Sequence, residues 1–226
     1  MSKDISSTIR KRKIIYAFLK RVYEKELSGE LLAEMPTRMK PLLVVSDMFP
    51  YSVAKKEVKE LVQFTDKIDS HNLDDLQMRL AADYAGLFLS INKIPPHPSE
   101  SVYREGTMMQ SYRDEVLKMY WSFGVNKRND FSEPEDHIAV ELSFMMYLCE
   151  KSIEALKKGD MKGFRRYIQG QNDFLEDHLV RWVPKLVKDI VDTAQMPFYR
   201  AIAVLTWEFI DVDISMVRAH IEEFQN

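Results

Sequence analysis

Cysteine is almost absent from this sequence. The chain has 226 residues and a single cysteine, Cys149. No disulfide can form within one chain, and a cysteine-ligated cluster or zinc finger is excluded. One cysteine within an apolar segment fits a reducing compartment.

Glycine is also scarce, and long apolar runs are missing. The seven glycines are dispersed, and no phosphate-binding loop, dinucleotide fingerprint or G-x-S-x-G elbow can be found. The N-terminal apolar run IIYAFL is only six residues long. A secretory signal needs roughly 7–15 such residues and a membrane span about 20. We therefore expect a soluble, cytoplasmic protein without membrane insertion.

What the sequence has in abundance is helical periodicity. Apolar residues recur at three- and four-residue spacing, while the two-residue alternation of strands is absent. We predict an all-α fold, a single-domain helical bundle of about nine or ten helices over residues 1–226, with neighbouring helices antiparallel. Short helices should flank Pro36 and Pro41. The longer predicted helices are 5–27, 51–68, 73–91, 107–123, 133–157, 160–182, one from Pro184 to about 194, and 197–225 with an interruption at 211–213.

Two segments interrupt the helical pattern. Residues 92–106 contain prolines 95, 96 and 98, which force an extended path. We predict that this proline-rich loop has a functional role. Residues 125–132 read as a polar linker.

Charge is distributed unevenly, although the net charge is only −3. Residues 1–28 carry a net charge of +5, and residues 130–160 carry −5. Such asymmetry can steer a charged partner, but two solvated helix faces would look the same. A basic first helix that touches nucleic acid through residues 10–13 is an alternative, yet the rest of the chain predicts no nucleic-acid partner.

The acidic stretch SEPEDHIAVELSFMM, residues 132–146, combines a helix start with unexplained residues. Ser132 and Glu135 stand in a capping-box relation, and Pro134 fits the first turn. His137 is not explained, because a protonated imidazole is disfavoured at the positive end of a helix. An acidic helix start with a hydrogen-bonding histidine is suited to a peptide that carries guanidinium groups.

A metal site is the alternative interpretation of the two histidines. EDHI at 135–138 and EDHL at 176–179 are near repeats, and Glu141 would share a helix face with His137. The Glu-x-x-His pattern of di-iron bundles is missing at both sites. A helical-bundle metal-binding protein that uses His137, His178 and nearby carboxylates therefore stays a second hypothesis.

Several motifs resemble one known family. EPEDHIAVELSFM at 133–145 resembles the signature of the TorD/DmsD/NarJ family, the redox enzyme maturation proteins that act as chaperones for molybdoenzymes. PHPSESVYREG (96–106), YWSFGV (120–125) and FLEDHLVRWVPKL (174–186) are similar to further family segments in the same order. The resemblance covers roughly residues 85–190.

The resemblance implies a TorD-like fold and a binding activity, not an enzyme, with no cofactor of its own. The implied protein is a cytoplasmic chaperone in anaerobic respiration. It binds the twin-arginine signal peptide, or N-terminal segment, of a molybdopterin oxidoreductase precursor and assists its cofactor insertion and assembly before export. The client enzyme and a homodimer are left open. The implied peptide-binding residues are Glu133, Pro134, Asp136, His137, Trp121, Gly124, Ser101 and Tyr103.

Overall fold

A computed structural model of the chain describes residues 2–39, 52–69, 71–89, 96–127 and 131–225. These ranges hold helices, turns and one isolated β-bridge between Ser99 and His137, with no strand among them. The all-α prediction is confirmed. The helices are α1 (Ser2–Glu24), α2 (Gly29–Arg38), α3 (Ser52–Thr65), α4 (Leu73–Tyr84), α5 (Glu100–Glu105), α6 (Ser111–Ser122), α7 (Ile138–Lys158), α8 (Met161–Phe174), α9 (Val180–Thr193) and α10 (Pro197–Gln225).

Two π-helical turns accompany the α-helices. Ala85–Leu89 continues α4, and Leu175–Leu179 joins α8 to α9. Pro184 therefore lies inside α9 and does not begin a helix, so that prediction is wrong. Burial of Trp182 and Val183 before the proline, and of Leu186 after it, offsets the roughly 3 kcal/mol that an interior proline costs. Pro36 likewise lies inside α2.

Two further predicted boundaries are wrong, one in the acidic stretch and one in the proline-rich loop. The long helix begins at Ile138 and not at residue 133, because the chain turns at residues 135–136 first. The expected loop 92–106 contains the short helix α5 in its second half. The described residues do not include residues 92–95 of this loop. They also leave out the segment around Pro41 and residues 128–130 of the linker 125–132.

The chain divides into two compact units. The first comprises Met1–Arg21, Ser99–Val183 and Ile210–Asn226, and the second comprises Val22–Pro98 and Pro184–Phe209. The single domain expected from the sequence stays a prediction.

The second unit has an aromatic core with polar anchors. Tyr84 packs against Phe88 at 5.0 Å and Tyr199 at 6.1 Å between ring centroids. The buried Asp83 accepts hydrogen bonds from the backbone N–H groups of residues 195 and 196, at 3.0 and 2.7 Å. These bonds fix the chain immediately before α10 begins.

In the first unit, α7 packs along α8. Phe144 of α7 lies between Tyr120 and Phe174, with centroid separations of 4.6 and 5.0 Å. Cys149 is fully buried on the same helix, and burial raises the pKa of its thiol to about 12. The thiol is therefore protonated and unsuited to metal binding or redox chemistry.

A buried ion pair ties the two ends of the chain together within the first unit. Arg12 and Asp213 are fully buried. The guanidinium of Arg12 donates to the Asp213 carboxylate through its Nε atom and, at 2.8 Å, through its Nη2 atom. The hydroxyl of Tyr16 donates to the same carboxylate at 2.6 Å. Arg12 thus belongs to the core and not to the exposed basic face expected from the sequence. Helix α10 runs without a break through residues 211–213, so the predicted interruption there is wrong.

We predict that Asp213→Ala destabilises the protein by about 3–5 kcal/mol, because it leaves the Arg12 charge buried without a partner. Denaturant unfolding followed by circular dichroism measures the change. Asp211→Ala is the matched control, since Asp211 is exposed on the same helix, and it should change the free energy of unfolding by less than about 0.5 kcal/mol. Equal losses in the two variants would contradict the assignment.

Candidate functional site

Asp136 connects the turn before α7 with the beginning of α5. Its Oδ2 atom accepts hydrogen bonds from the backbone N–H of Ser101 at 2.8 Å and from the Ser101 hydroxyl at 2.5 Å. Its backbone carbonyl accepts the N–H of Glu100 at 3.0 Å. Asp136, Glu100 and Ser101 are all fully buried. Asp136 therefore satisfies donors in the first turn of α5 that the helix itself leaves unpaired.

His137 is the N-cap of α7. Its Nδ1 atom accepts the backbone N–H of Ala139 at 3.1 Å, and only 3% of the residue is exposed. An accepting Nδ1 places the ring proton on Nε2, so the imidazole is neutral. A neutral cap is compatible with the positive end of a helix, which resolves the objection raised by the sequence. The predicted capping role of Ser132 is wrong, because the helix starts six residues later.

Glu100 joins α5 to the π turn between α8 and α9. Its two oxygens bind Arg104 Nη1 at 3.1 Å and His178 Nδ1 at 2.8 Å. The backbone carbonyls of residues 176 and 177 accept hydrogen bonds from Arg181 and Arg104, at 2.9 and 3.2 Å. Sequence analysis missed Glu100 and Arg104, although their i, i+4 spacing was a usable signal.

Glu141 completes a group of three fully buried carboxylates, here called the acidic cluster: Glu100, Asp136 and Glu141. Its Oε2 atom accepts the indole N–H of Trp182 at 3.0 Å. Its Oε1 atom and Oδ1 of Asp136 have no hydrogen-bond partner. Burial, followed by the negative charges of Glu100 and Asp136, raises the pKa of Glu141 well above its ordinary value.

An open cleft of about 580 Å³ lies beside this cluster in the first unit. Arg104 and His178 line the cleft and also bond Glu100, so they link it to the acidic cluster. Arg104 stacks over the ring of Tyr112 at 3.9 Å. The full lining is Arg104, Tyr112, Glu115, Lys118, Met119, Ser122, Asp177, His178 and Arg181.

The structure brings only some of the predicted peptide-binding residues together. Ser101, Asp136 and His137 meet in the buried network just described. Tyr103 stacks on Trp182 at 5.6 Å, and Trp182 in turn bonds Glu141.

The other predicted residues lie around this network or at the end of α6. Pro134 is buried, and the backbone carbonyl of Glu133 accepts a hydrogen bond from Lys127. Trp121 is 59% exposed, with its indole N–H bonded to Asn126 at 2.8 Å. Gly124 has a φ of +71°, which a side chain would strain. Whether these residues contact a peptide stays a prediction.

The metal-site hypothesis receives no geometric support. Nδ1 of His137 and Nδ1 of His178 are both engaged in hydrogen bonds. Within the described ranges, no group of three or more His, Cys, Asp or Glu side chains is arranged to hold a metal ion. None of the helices in those ranges is long and apolar enough to cross a membrane.

We predict that Glu141→Gln removes a pH dependence from the stability of the protein. The folded-state pKa of Glu141 is raised, so its contribution to stability is complete below about pH 4.5 and is lost as the pH rises toward the folded-state pKa. Between these two pH values, ionisation of this one group lowers the free energy of unfolding by up to about 1.4 kcal/mol per pH unit. Denaturant unfolding from pH 5 to 8 should show wild-type stability falling relative to Glu141→Gln. A constant difference would show that Glu141 is ionised.

Comparisons with known proteins agree with this architecture. The nitrate reductase delta subunit family matches residues 53–188. Chaperone protein TorD of Vibrio cholerae serotype O1 is 28% identical over 94% of both chains. Chaperone protein TorD of Photobacterium profundum is 32% identical over 71% of this chain and 75% of its own.

A solved structure shares the fold. It is described as a redox enzyme maturation protein from Archaeoglobus fulgidus, with a TM-score of 0.50, 17% identity, and coverage of 88% of this chain and 93% of that one. The chaperone names of the relatives confirm that the chain is not an enzyme. It belongs to the nitrate reductase delta subunit family, which is the TorD/DmsD/NarJ family of redox enzyme maturation proteins that its sequence resembles.

Proposed function

We propose that the chain is a cytoplasmic chaperone for a molybdopterin oxidoreductase precursor. It binds the twin-arginine signal peptide, or the N-terminal segment, and shields it during cofactor insertion and assembly before export. Family membership and the TorD relatives support a role in molybdoenzyme maturation. The lining of the cleft and the carboxylates beside it support the peptide and its binding mode.

The acidic cluster beside the cleft is the observation that carries this proposal. Its three buried carboxylates are bonded to one permanent cation, Arg104, and to one titratable group, His178. Two of their oxygens have no partner. The cleft lining also holds Lys118 and Arg181 beside Arg104, so the attraction for an entering cation comes from the buried carboxylates together with Glu115 and Asp177. Guanidinium is the side-chain cation best matched to carboxylates.

The cleft lining has charged groups for the two arginines of such a peptide and apolar groups for the segment that follows them. Glu115 and Asp177 are exposed, and neither carboxylate forms an ion pair with another described residue. They are suited to a pair of arginines. Tyr112 and Met119 supply apolar surface for the segment that follows the arginines, and methionine adapts to varied apolar partners.

Within this proposal the residues predicted from the sequence act in two ways. Asp136, His137 and Ser101 are buried, so they hold α5 and α7, and with them Arg104, in the positions that shape the cleft. Trp121, Gly124, Tyr103, Glu133 and Pro134 are proposed to flank the bound peptide.

We predict that Glu115→Gln and Asp177→Asn each weaken binding of a twin-arginine peptide about tenfold, which corresponds to loss of one charge-assisted contact of about 1.4 kcal/mol. Isothermal titration calorimetry measures the dissociation constant. Asp211→Asn is the control, because it removes an exposed carboxylate of the same unit outside the cleft. Equal affinity of the wild-type protein for peptides with arginine or glutamine at the two positions would disprove the proposed function.

We further predict that Asp136→Asn lowers peptide affinity, since it removes a negative charge beside the cleft, while the remaining amide oxygen still accepts the two hydrogen bonds from Ser101. Affinity should be measured at low temperature, where circular dichroism shows whether the variant is folded. Unchanged affinity in folded Asp136→Asn would make Asp136 a purely structural residue.

A further inference from the structure

Glu141 sits in an arrangement that needs a proton. It is fully buried, and only one of its two carboxylate oxygens accepts a hydrogen bond. The Oδ1 atom of its neighbour Asp136 is also buried without a partner. Two ionised carboxylates with unsatisfied buried oxygens would be very costly together. One proton on Glu141 reduces this cost, since it removes one charge and provides a donor to the neighbouring carboxylate of Glu100.

The groups that face Glu141 come from four parts of the first unit. They are Glu100 of α5, Asp136 before α7, Tyr120 of α6 and Trp182 of α9. None of these is a cation. Arg104 and His178, the cationic and titratable neighbours of the cluster, are bonded to Glu100 instead.

The cluster is coupled to the cleft through Glu100. Both side chains that bond Glu100 also line the cleft, so a cation bound there lies one side chain away from the buried carboxylates. Opposite charges attract at such distances, and the carboxylates of the cluster are buried, so solvent screens them less than it screens exposed charges. A guanidinium in the cleft therefore favours the ionised form of Glu141.

We propose that Glu141 is a proton-exchanging residue of the peptide site, which holds a proton while the cleft is empty and releases it when an arginine of the peptide binds. The O–H bond of Glu141 breaks, the proton passes to solvent, and the guanidinium keeps all of its protons. Glu141 thus acts by setting the charge of the site and needs no direct contact with the peptide. This inference rests on the proposed function.

Thermodynamic linkage fixes the direction of the effect. Because binding releases a proton, peptide affinity rises with pH while Glu141 is protonated in the free protein. One proton released per peptide corresponds to an affinity gain of up to tenfold per pH unit. A peptide that binds elsewhere would show no such dependence on Glu141.

The test is calorimetric titration of the full chain with a twin-arginine peptide that lacks histidine and has a blocked N-terminus. Titrations at pH 7 in phosphate and in Tris, which differ in ionisation enthalpy, count the protons exchanged. We expect about one proton released by the wild-type protein and close to none by Glu141→Gln, which is isosteric with the protonated carboxyl. The comparison of the two proteins assigns the released proton to Glu141 and separates it from any proton exchanged by another group of the site.

Two outcomes overturn the inference while leaving the proposed function intact. Peptide binding by the wild-type protein without proton release is the first, and equal proton release by Glu141→Gln is the second. If no peptide binds, the proposed function fails and the exchange fails with it.

The protonated state is tested without peptide by infrared spectroscopy. The C=O stretch of a protonated carboxyl group should be present in the wild-type protein at pH 7 and missing from Glu141→Gln. Its absence from the wild-type spectrum would overturn the inference.

Discussion

The hydrogen bonds from Ser101 to the Asp136 carboxylate are the constraint on which the rest of the site depends. Helix α5 has only six residues, which is too short to be stable by itself. The carboxylate and the neighbouring carbonyl hold its first turn, at 2.8 and 3.0 Å from the backbone nitrogens of residues 101 and 100. Once α5 is fixed, Glu100 reaches His178, and Arg104 reaches both the cleft and the π turn.

The charge balance of this region favours binding over stability. Burying three carboxylates is unfavourable unless cations or protons compensate them, and the described residues supply this compensation only in part. Apolar residues would have made a more stable core. Retaining the acids makes sense where a positively charged ligand completes the balance, which is the role that we propose for the arginines of the peptide.

Local sequence patterns predicted the helices well because amphipathic spacing is a local property. They also identified His137 as unusual, while Asp136 was singled out by the family resemblance. What they could not show were contacts between residues distant in sequence. Arg12 looked like part of a basic face, because its partner Asp213 lies 201 residues away.

The cleft was harder to predict than the helices. Prolines made residues 92–106 look like a loop, so the helix that carries Glu100 and Arg104 was not expected. The burial of Asp136 depends on Ser101, 35 residues earlier, and a motif read along the chain gave no sign of that pairing. The sequence could thus single out candidate residues, but it could not show which of them face solvent.

The π turn at Leu175–Leu179 also sets the rotational phase of the helix that follows. An α-helix advances about 100° per residue, and a π turn holds one residue more than the corresponding α-helical turn. His178 can therefore point to Glu100 while Trp182, four residues later, points to Glu141. Loss of one residue from this turn would leave a regular helix, yet would rotate the residues on one side of it by about 100° relative to those on the other. In this segment the length of the chain matters as much as the identity of its side chains.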